Sequence, residues 1–416
     1  MYDLILDKDQ LRVADEAREF AKSIDPALLR RMDADEVRYP TEYVVEAARR
    51  NLLGLRFPKE YGGRGLPWVV EMAALEEIGV LGTSLGCLAS LPSIVCEGIA
   101  AFGTPRQKEE FMGPILRGEK FCAEALTEPR GGSDFFGAAT VARKEGDHFV
   151  LDGQKRFVVG AEGADVFFVY ARTGDGPREI TAFLVERDDS VHVEHVYNLL
   201  GTRGGGTGRL VFKGAVVPES NVVLGVGRGA EVFNAMMVPE RMTSAAGALG
   251  MGRAATELAA RYSTRRKAFG KPIRRFEAVS FMIADALSAV DAARGLTIMA
   301  AKAADKAGNV GAGIAEGTTV RRLVSEAKKA ATEAGWLAVN NAMQVMGGIG
   351  YTQVYPLERY LRDARLSLIW TGTNQIMNLL IQHEYYREFQ GSGPVGRDVE
   401  MDAMDAESGA DEKVYE

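Results

Sequence analysis

Cysteine and histidine are both scarce in this chain, with three of the first and four of the second in 416 residues. Cys87, Cys96 and Cys122 include no Cys-x-x-Cys pair, so neither a disulfide framework nor a thiolate metal site is laid out, and a reducing compartment is expected. His148, His192, His195 and His383 include no i, i+4 pair, which removes the usual helical metal clamp. No metal is expected. An excess of basic residues is missing too. The formal charge is −7, which argues against nucleic acid as a partner, because phosphate binding is driven by Lys and Arg. A long apolar run is also lacking. The longest uncharged stretch, Gly79 to Cys96, is broken by Gly82, Thr83, Ser84, Gly86, Ser90, Pro92 and Ser93. A bilayer span needs about 20 mainly apolar residues, so this stretch reads as a buried helix with a small-residue face. The first residues, Met-Tyr-Asp-Leu-Ile-Leu-Asp-Lys-Asp-Gln, carry acids and no apolar signal core. The expectation is a cytoplasmic protein with neither membrane nor nucleic-acid partner.

What is present is an ordinary globular composition, 46% hydrophobic and 26% charged. The length exceeds what one hydrophobic core usually serves, so two or three domains are expected. Leu11, Ala14, Ala17, Phe20, Ala21 and Ile24 recur at helical spacing, and residues 1–120 read as a helical domain. From 121 to 232 the pattern changes to short β-rich runs, among them Asp165–Ala171, Ile180–Val185 and Gly208–Phe212, separated by Gly, Asp and Pro turns. Helical periodicity returns over 233–390, with breaks near Phe269–Pro272, Gly308–Gly313 and Gly347–Pro356. The Ala/Gly-rich stretch Ala245–Ala260 would let helices approach closely. Residues 391–416 hold eight acids and two bases and read as a solvated, disordered tail.

Several stretches are dense in groups suited to a ligand. Gly201-Thr-Arg-Gly-Gly-Gly-Thr-Gly208 has the look of a phosphate cradle, but it feeds a strand rather than a helix N-terminus, so a turn is the better reading. Ala125-Leu-Thr-Glu-Pro-Arg-Gly-Gly-Ser-Asp-Phe-Phe-Gly137 ends a strand in a turn rich in hydroxyls and backbone donors. Arg261–Arg275 holds seven basic residues in fifteen, with Phe269-Gly270 in their midst. A diphosphate partner would explain that mixture better than a solvated helix end. Gln344-Val-Met-Gly-Gly-Ile-Gly-Tyr351 ends a helix in glycines that cap it and also permit close backbone approach. Trp370-Thr-Gly-Thr373 opens a late helix, yet nothing in that turn ionises near neutral pH.

In combination these stretches resemble the acyl-CoA dehydrogenase family. The matching residues are Leu-Thr-Glu-Pro-x-Gly-Gly-Ser-Asp at 126–134, Arg-Lys-x-Phe-Gly-Lys at 266–271 and Gln-x-x-Gly-Gly-x-Gly-Tyr at 344–351. Tyr-Pro-x-Glu-Arg and Arg-Asp-Ala-Arg at 355–365 and Gly-Thr-Asn-Gln-Ile at 372–376 continue the last match, and the likeness covers about 5–388. The resemblance implies an α+β multidomain fold: an N-terminal helical domain, a central β-barrel-like domain and a C-terminal four-helix bundle, assembled as a homotetramer. It implies FAD as cofactor, an acyl-CoA as substrate and an electron-transfer flavoprotein as partner. On the matched positions Leu126, Thr127, Gly132, Ser133, Phe157, Val158, Val159, Thr373 and Gln375 would contact the flavin region, with Asn374 between the last two. Gln344, Gly347 and Gly348 would wrap the adenosine half, and Arg266 and Phe269 would reach the FAD of a neighbouring subunit. Phe157-Val-Val159 departs from the family's Trp-Ile-Thr or Trp-Ile-Ser, and Glu277 stands where a glutamine is usual.

The reaction implied is α,β-dehydrogenation of the thioester, with a carboxylate taking the α-proton while hydride leaves for flavin N5. Ser133, Arg241 and Gly372 would contact substrate, and the backbone N–H of Thr371 would polarise the thioester carbonyl. Many members carry the catalytic glutamate at the position occupied here by Thr371. A subset places it on a C-terminal-domain helix immediately before an arginine, and the match is Val238-Pro-Glu-Arg241, with Pro239 in a first helical turn and Glu240 as base. Competing readings are a flavin monooxygenase, a base-independent elimination enzyme or a non-catalytic FAD-binding protein. In the acyl region Gly86, Ala89, Ser90 and Ser93 suggest room, and the lack of an arginine there disfavours a dicarboxylic acyl group.

Overall fold

The computed structural model describes residues 2–176, 179–308 and 318–392 and, beyond those, 396–397, 399–402, 406–408 and 413–415. The N-terminal helices are α1 (Lys8–Ser23), α2 (Pro26–Asp33), α3 (Thr41–Arg49), α4 (Trp68–Gly79) and α5 (Thr83–Phe102); α1 and α2 open on aspartate caps, whereas α4 and α5 are buried on nearly every side. α1 opens with a reciprocal cap: Asp7 Oδ1 accepts from Gln10 N–H at 2.8 Å, and Gln10 Oε1 accepts from Asp7 N–H at 3.2 Å. By length and composition α5 would suit a membrane span, but it is buried within the fold along nearly its whole length. Its neighbours gather round Arg56, which ion-pairs with Glu71 at 2.8 Å and Glu97 at 2.7 Å and lies 3.6 Å over the Trp68 ring. A buried cation needs such company.

The central unit is one sheet of β1 (Cys122–Ala125), β2 (Val141–Glu145), β3 (His148–Val158), β4 (Val166–Arg172), β5 (Ile180–Glu186), β6 (Val191–Val196), β7 (Gly208–Pro218) and β8 (Val222–Val223). Their order is β6-β7-β3-β2-β4-β5-β8, with β1 added in parallel to β4. The sheet curls round one core that takes residues from β1 to β7, but β6 and β8 do not pair among the described residues, so the barrel-like unit stays open.

The C-terminal unit is α6 (Gly229–Arg265), α7 (Glu277–Ala307), α8 (Thr318–Met346), the short α9 (Leu357–Ser367) and α10 (Asn374–Ser392). α6 corrects one expectation. It begins at Gly229, so Pro239 and Glu240 lie inside a 37-residue helix and not in its first turn. The helix tolerates Pro239 although the ring removes one backbone donor. The Ala/Gly-rich stretch does permit close approach: a Cβ on Gly250 would stand 2.1 Å from the Glu76 carbonyl oxygen. Of the expected break at Gly308–Gly313, only Gly308 lies within the described residues. Most of the acidic tail expected to be disordered also lies outside them, and α10 extends to Ser392.

One carboxylate ties the three units together. Asp363 of α9 is buried and accepts from Thr83 N–H at 3.1 Å and from Thr202 N–H at 2.6 Å. The Gly201–Gly208 string is thus a turn, as its run into a strand suggested, and it docks on α9. A Cβ on Gly201 would come 2.6 Å from the Arg362 carbonyl carbon. Asp363→Ala should leave two inward N–H groups bare, each costing roughly 1–3 kcal/mol, and Asp363→Asn, which keeps one acceptor, should cost less. Thermal unfolding of the two variants checks the order; equal midpoints for both and the wild type would remove Asp363 from this role.

Candidate active site

Where the three units meet they enclose a cavity of about 530 Å³. Its walls come from α5, from β1 with the loop after it, from the end of β3, from α6 and from the turn before α10. α6 contributes Glu240 and Arg241 side by side. Arg241 is 8% exposed and its Nε has no hydrogen-bond partner among the described residues. Burial, reinforced by the charge of Arg321 and opposed by that of Glu240, pushes its guanidinium down to about 10. An under-satisfied buried guanidinium beside a cavity is poised for an external acceptor.

The turn Trp370–Thr373 is held in an unusual shape. Thr371 has φ 52° and Gly372 φ 85°; positive φ in a β-branched residue is a genuine outlier and typical of functional sites. Asn374 N–H to the Leu368 carbonyl, 3.2 Å, closes the turn. Thr373 caps α10 by accepting from Ile376 N–H at 3.2 Å. The Thr371 hydroxyl donates to Ser244 Oγ at 3.3 Å, while its N–H is engaged by no backbone acceptor among the described residues. Lys328 of α8 supports the turn from beneath, with Nζ donating to the Gly372 carbonyl at 2.9 Å and to Asn374 Oδ1 at 2.8 Å. Burial, then the charge of Arg241, pushes the Lys328 ammonium down to about 7.

A bulge between Lys155 and Val158 turns the end of β3 outward. Phe157 there has φ 55°, is 54% exposed and lies 4.8 Å, ring to ring, from Tyr197. Thr127, whose carbonyl accepts from Arg156 N–H at 2.7 Å, and Ser133, in the exposed turn, line the same cavity.

Of the residues singled out from the sequence, the cavity gathers Leu126, Thr127, Gly132, Ser133, Phe157, Val159, Glu240, Arg241, Thr371, Gly372 and Thr373. Val158 is turned into the β core, 1% exposed, because neighbours along a strand alternate. Asn374 spends its side chain inward, on Lys328 and Thr332. Arg266, Phe269, Gln344, Gly347, Gly348 and Gln375 are exposed and do not line the cavity. Phe269, 94% exposed with φ 49°, and Gly270, φ 78°, form the tip of a two-residue hairpin between Lys267–Ala268 and Lys271–Pro272. Along α5, Gly86 and Ser90 do line the cavity. Ala89 and Ser93 do not, Ser93 accepting from Arg56 instead. Sequence reasoning missed Glu124, Cys87 and Lys328. Glu124 carried a signal, a lone acid among the small residues of Cys122-Ala-Glu-Ala125.

Three family models match the chain: acyl-CoA dehydrogenase N-terminal domain over residues 7–119, middle domain over 123–215 and C-terminal domain over 227–385. The chain is 33% identical to the short-chain specific acyl-CoA dehydrogenase of Clostridium acetobutylicum, over 92% of its own length and 100% of the relative's. Among solved structures it resembles butyryl-CoA dehydrogenase from Megasphaera elsdenii, with TM-score 0.86, 30% identity and coverage of 92% and 99% of the two chains. A chain in a structure of the electron transferring flavoprotein of Acidaminococcus fermentans matches with TM-score 0.85 and 31% identity, over 92% and 99%.

The depressed Lys328 makes a prediction about stability. Unfolded, the amine titrates near pH ~10.4, whereas folded it titrates at about 7, so between these values the unfolded chain holds the extra proton. Stability therefore rises with pH across that window. Relative to Lys328→Met, the wild type should gain on the order of 1 kcal/mol per pH unit from pH ~7 to ~10. Denaturant titrations at both ends measure it; a flat difference would mean that Lys328 stays charged throughout.

Proposed function

The chain belongs to the acyl-CoA dehydrogenase family, and from that premise we propose that it oxidises an acyl-CoA thioester to the 2-enoyl-CoA with Glu240 as the base. The observation that carries this is the pairing of two features on one cavity: the Glu240–Arg241 step of α6 and the strained Thr371 turn facing it. A threonine hydroxyl has no deprotonated form to offer near neutral pH, whereas a carboxylate does.

The residues round the cavity suit FAD. Phe157 offers an exposed aromatic face at the mouth, Thr127 and Ser133 bring hydroxyls, and Trp370 Nε1 is buried without a partner among the described residues. Leu126, Gly132, Val159 and Thr373 complete that wall, and Val158 contributes backbone only. Bound FAD would supply the acceptor for the hydride leaving the β-carbon. The protein's own part is positional and electrostatic. The Thr371 N–H, engaged by no backbone acceptor among the described residues, suits donation to the thioester carbonyl, which would stabilise the charge that develops there. Glu240 receives the α-proton, and Arg241, with Ser133 and Gly372, holds the thioester and its CoA arm.

Partners follow the same reading. The exposed Phe269 on its basic hairpin, with Arg266 at its base, suits the diphosphate of FAD in a second subunit of a homotetramer, and Gln344, Gly347, Gly348 and Gln375 suit the adenosine end and its surroundings. Reducing equivalents would pass to an electron-transfer flavoprotein. The three free thiols suit the cytoplasm.

Anaerobic mixing of the yellow holoprotein with straight, branched and cyclic acyl-CoA thioesters should bleach the flavin without oxygen uptake. Glu240→Gln should keep FAD and acyl-CoA binding yet reduce its flavin roughly 10²- to 10⁴-fold more slowly. Thr371→Glu combined with Glu240→Gly should recover part of the rate. Wild-type reduction by Glu240→Gln would refute the assignment. Arg266→Ala should lower flavin occupancy through loss of a charge-assisted contact, and full retention in an unchanged oligomer would move Arg266 out of the site.

A further inference from the structure

One buried titratable group on the cavity has no part in the chemistry above. Glu124 lies on β1 between Ala123 and Ala125, whose side chains enter the β core. Alternation along the strand therefore turns Glu124 to the other side, where it lines the cavity with Glu240. Its Oε1 is buried and has no hydrogen-bond partner among the described residues. An ionised carboxylate left that way would be costly, and such groups neutralise instead.

Of the groups round Glu124, Tyr170 and Lys155 favour its ionised form, and they are outweighed by burial and Glu240. On β3 the Lys155 ammonium is committed to Glu128 at 2.6 Å and to the carbonyls of Tyr170, 2.6 Å, and Leu126, 3.2 Å. On β4 the Tyr170 hydroxyl donates to Met236 Sδ at 3.1 Å and also lies within hydrogen-bonding reach of the Glu124 carboxyl, whose ionised form it favours. On α5 Cys87 faces Glu240, whose charge, after burial, helps push the thiol up. On α6 stand Glu240 itself and Arg241. Burial pushes the Glu124 carboxyl well above the ordinary carboxylate range, and interaction with Glu240 pushes it further, while Tyr170 and Lys155 oppose. A like charge beside a buried carboxyl disfavours its ionised form.

We propose that Glu124 keeps its proton at neutral pH and offers it as a hydrogen bond to the Glu240 carboxylate, so that the base is a carboxyl–carboxylate pair bearing one negative charge. The resting pair holds one proton; uptake of the substrate α-proton makes it a neutral diacid. Glu124 is thus a positioning residue: it fixes the Glu240 carboxylate and stabilises its charge without touching the reacting carbon. The kinetic half of this inference rests on the reading of Glu240 as base; the protonation of Glu124 does not.

Infrared difference spectra of the holoenzyme at neutral pH separate the two. A carboxylic-acid C=O band present in the wild type and in Glu240→Gln, and absent in Glu124→Gln, is expected. No such band, or one that survives in Glu124→Gln and vanishes in Glu240→Gln, overturns the proposal. Kinetically, Glu124→Leu removes the donor and should move the acid limb of the flavin-reduction profile upward by about one pH unit or more, whereas Glu124→Gln, which still donates, should stay near the wild type. An unmoved limb in a folded Glu124→Leu overturns it, and if that variant does not fold, the Gln spectrum decides. Wild-type flavin reduction by Glu240→Gln would sink the base assignment alone, because the band reports Glu124 directly.

Discussion

Asp363 is the joint on which the architecture turns. From one buried carboxylate, hydrogen bonds run to the start of α5 in the first unit and to the Thr202 turn in the second, while α9 itself belongs to the third. The same short helix adds Arg362, which bonds Asp33 at 2.8 Å and the Leu200 carbonyl at 3.0 Å, and Tyr360, whose hydroxyl donates to the Val80 carbonyl. Burial raises the Asp363 carboxyl, and the N–H groups of Thr202 and Thr83 oppose that rise. The cavity walls belong to all three units, so the seam that joins those units bears on the shape of the cavity.

Backbone strain sits beside that seam. Phe157 and Thr371 both take positive φ on the cavity wall, a cost of about 1–3 kcal/mol each. Each is enforced from outside the residue: Phe157 by the register shift that ends β3, Thr371 by the Lys328 and Asn374 bonds to either side. The outlying conformations thus present an aromatic face and an unspent N–H where a ligand would need them.

Much of this was legible in the sequence, and the failures have physical causes. The helical, β, helical order follows from period, and the 126–134 and 370–373 turns from their residue types. Pro239 misled because proline favours a first turn, yet the packing of a 37-residue helix overrides one missing donor. Asn374 is drawn inward by a lysine 46 residues earlier in the chain, a pairing that no local pattern announces. Glu124 escaped notice because its meaning depends on Glu240, which only the fold brings near. The glycine string at 201 to 208 was rightly read as a turn, but its partner, the backbone of α9, is more than a hundred residues away.

Among the residues of α6 that line the cavity, Phe233, Met237, Glu240, Ser244, Gly247 and Met251 follow one line, with Arg241, Thr243 and Ala248 at its flanks. Such spacing keeps a single face of the helix toward the cavity, and at about 1.5 Å per residue the line runs roughly 27 Å. The slot is therefore graduated in helical turns, each marked by whichever side chain stands there. At Gly247 the mark is missing, and a Cβ would meet open space. A side chain set at this one position would thus shorten the slot at that turn without moving the backbone.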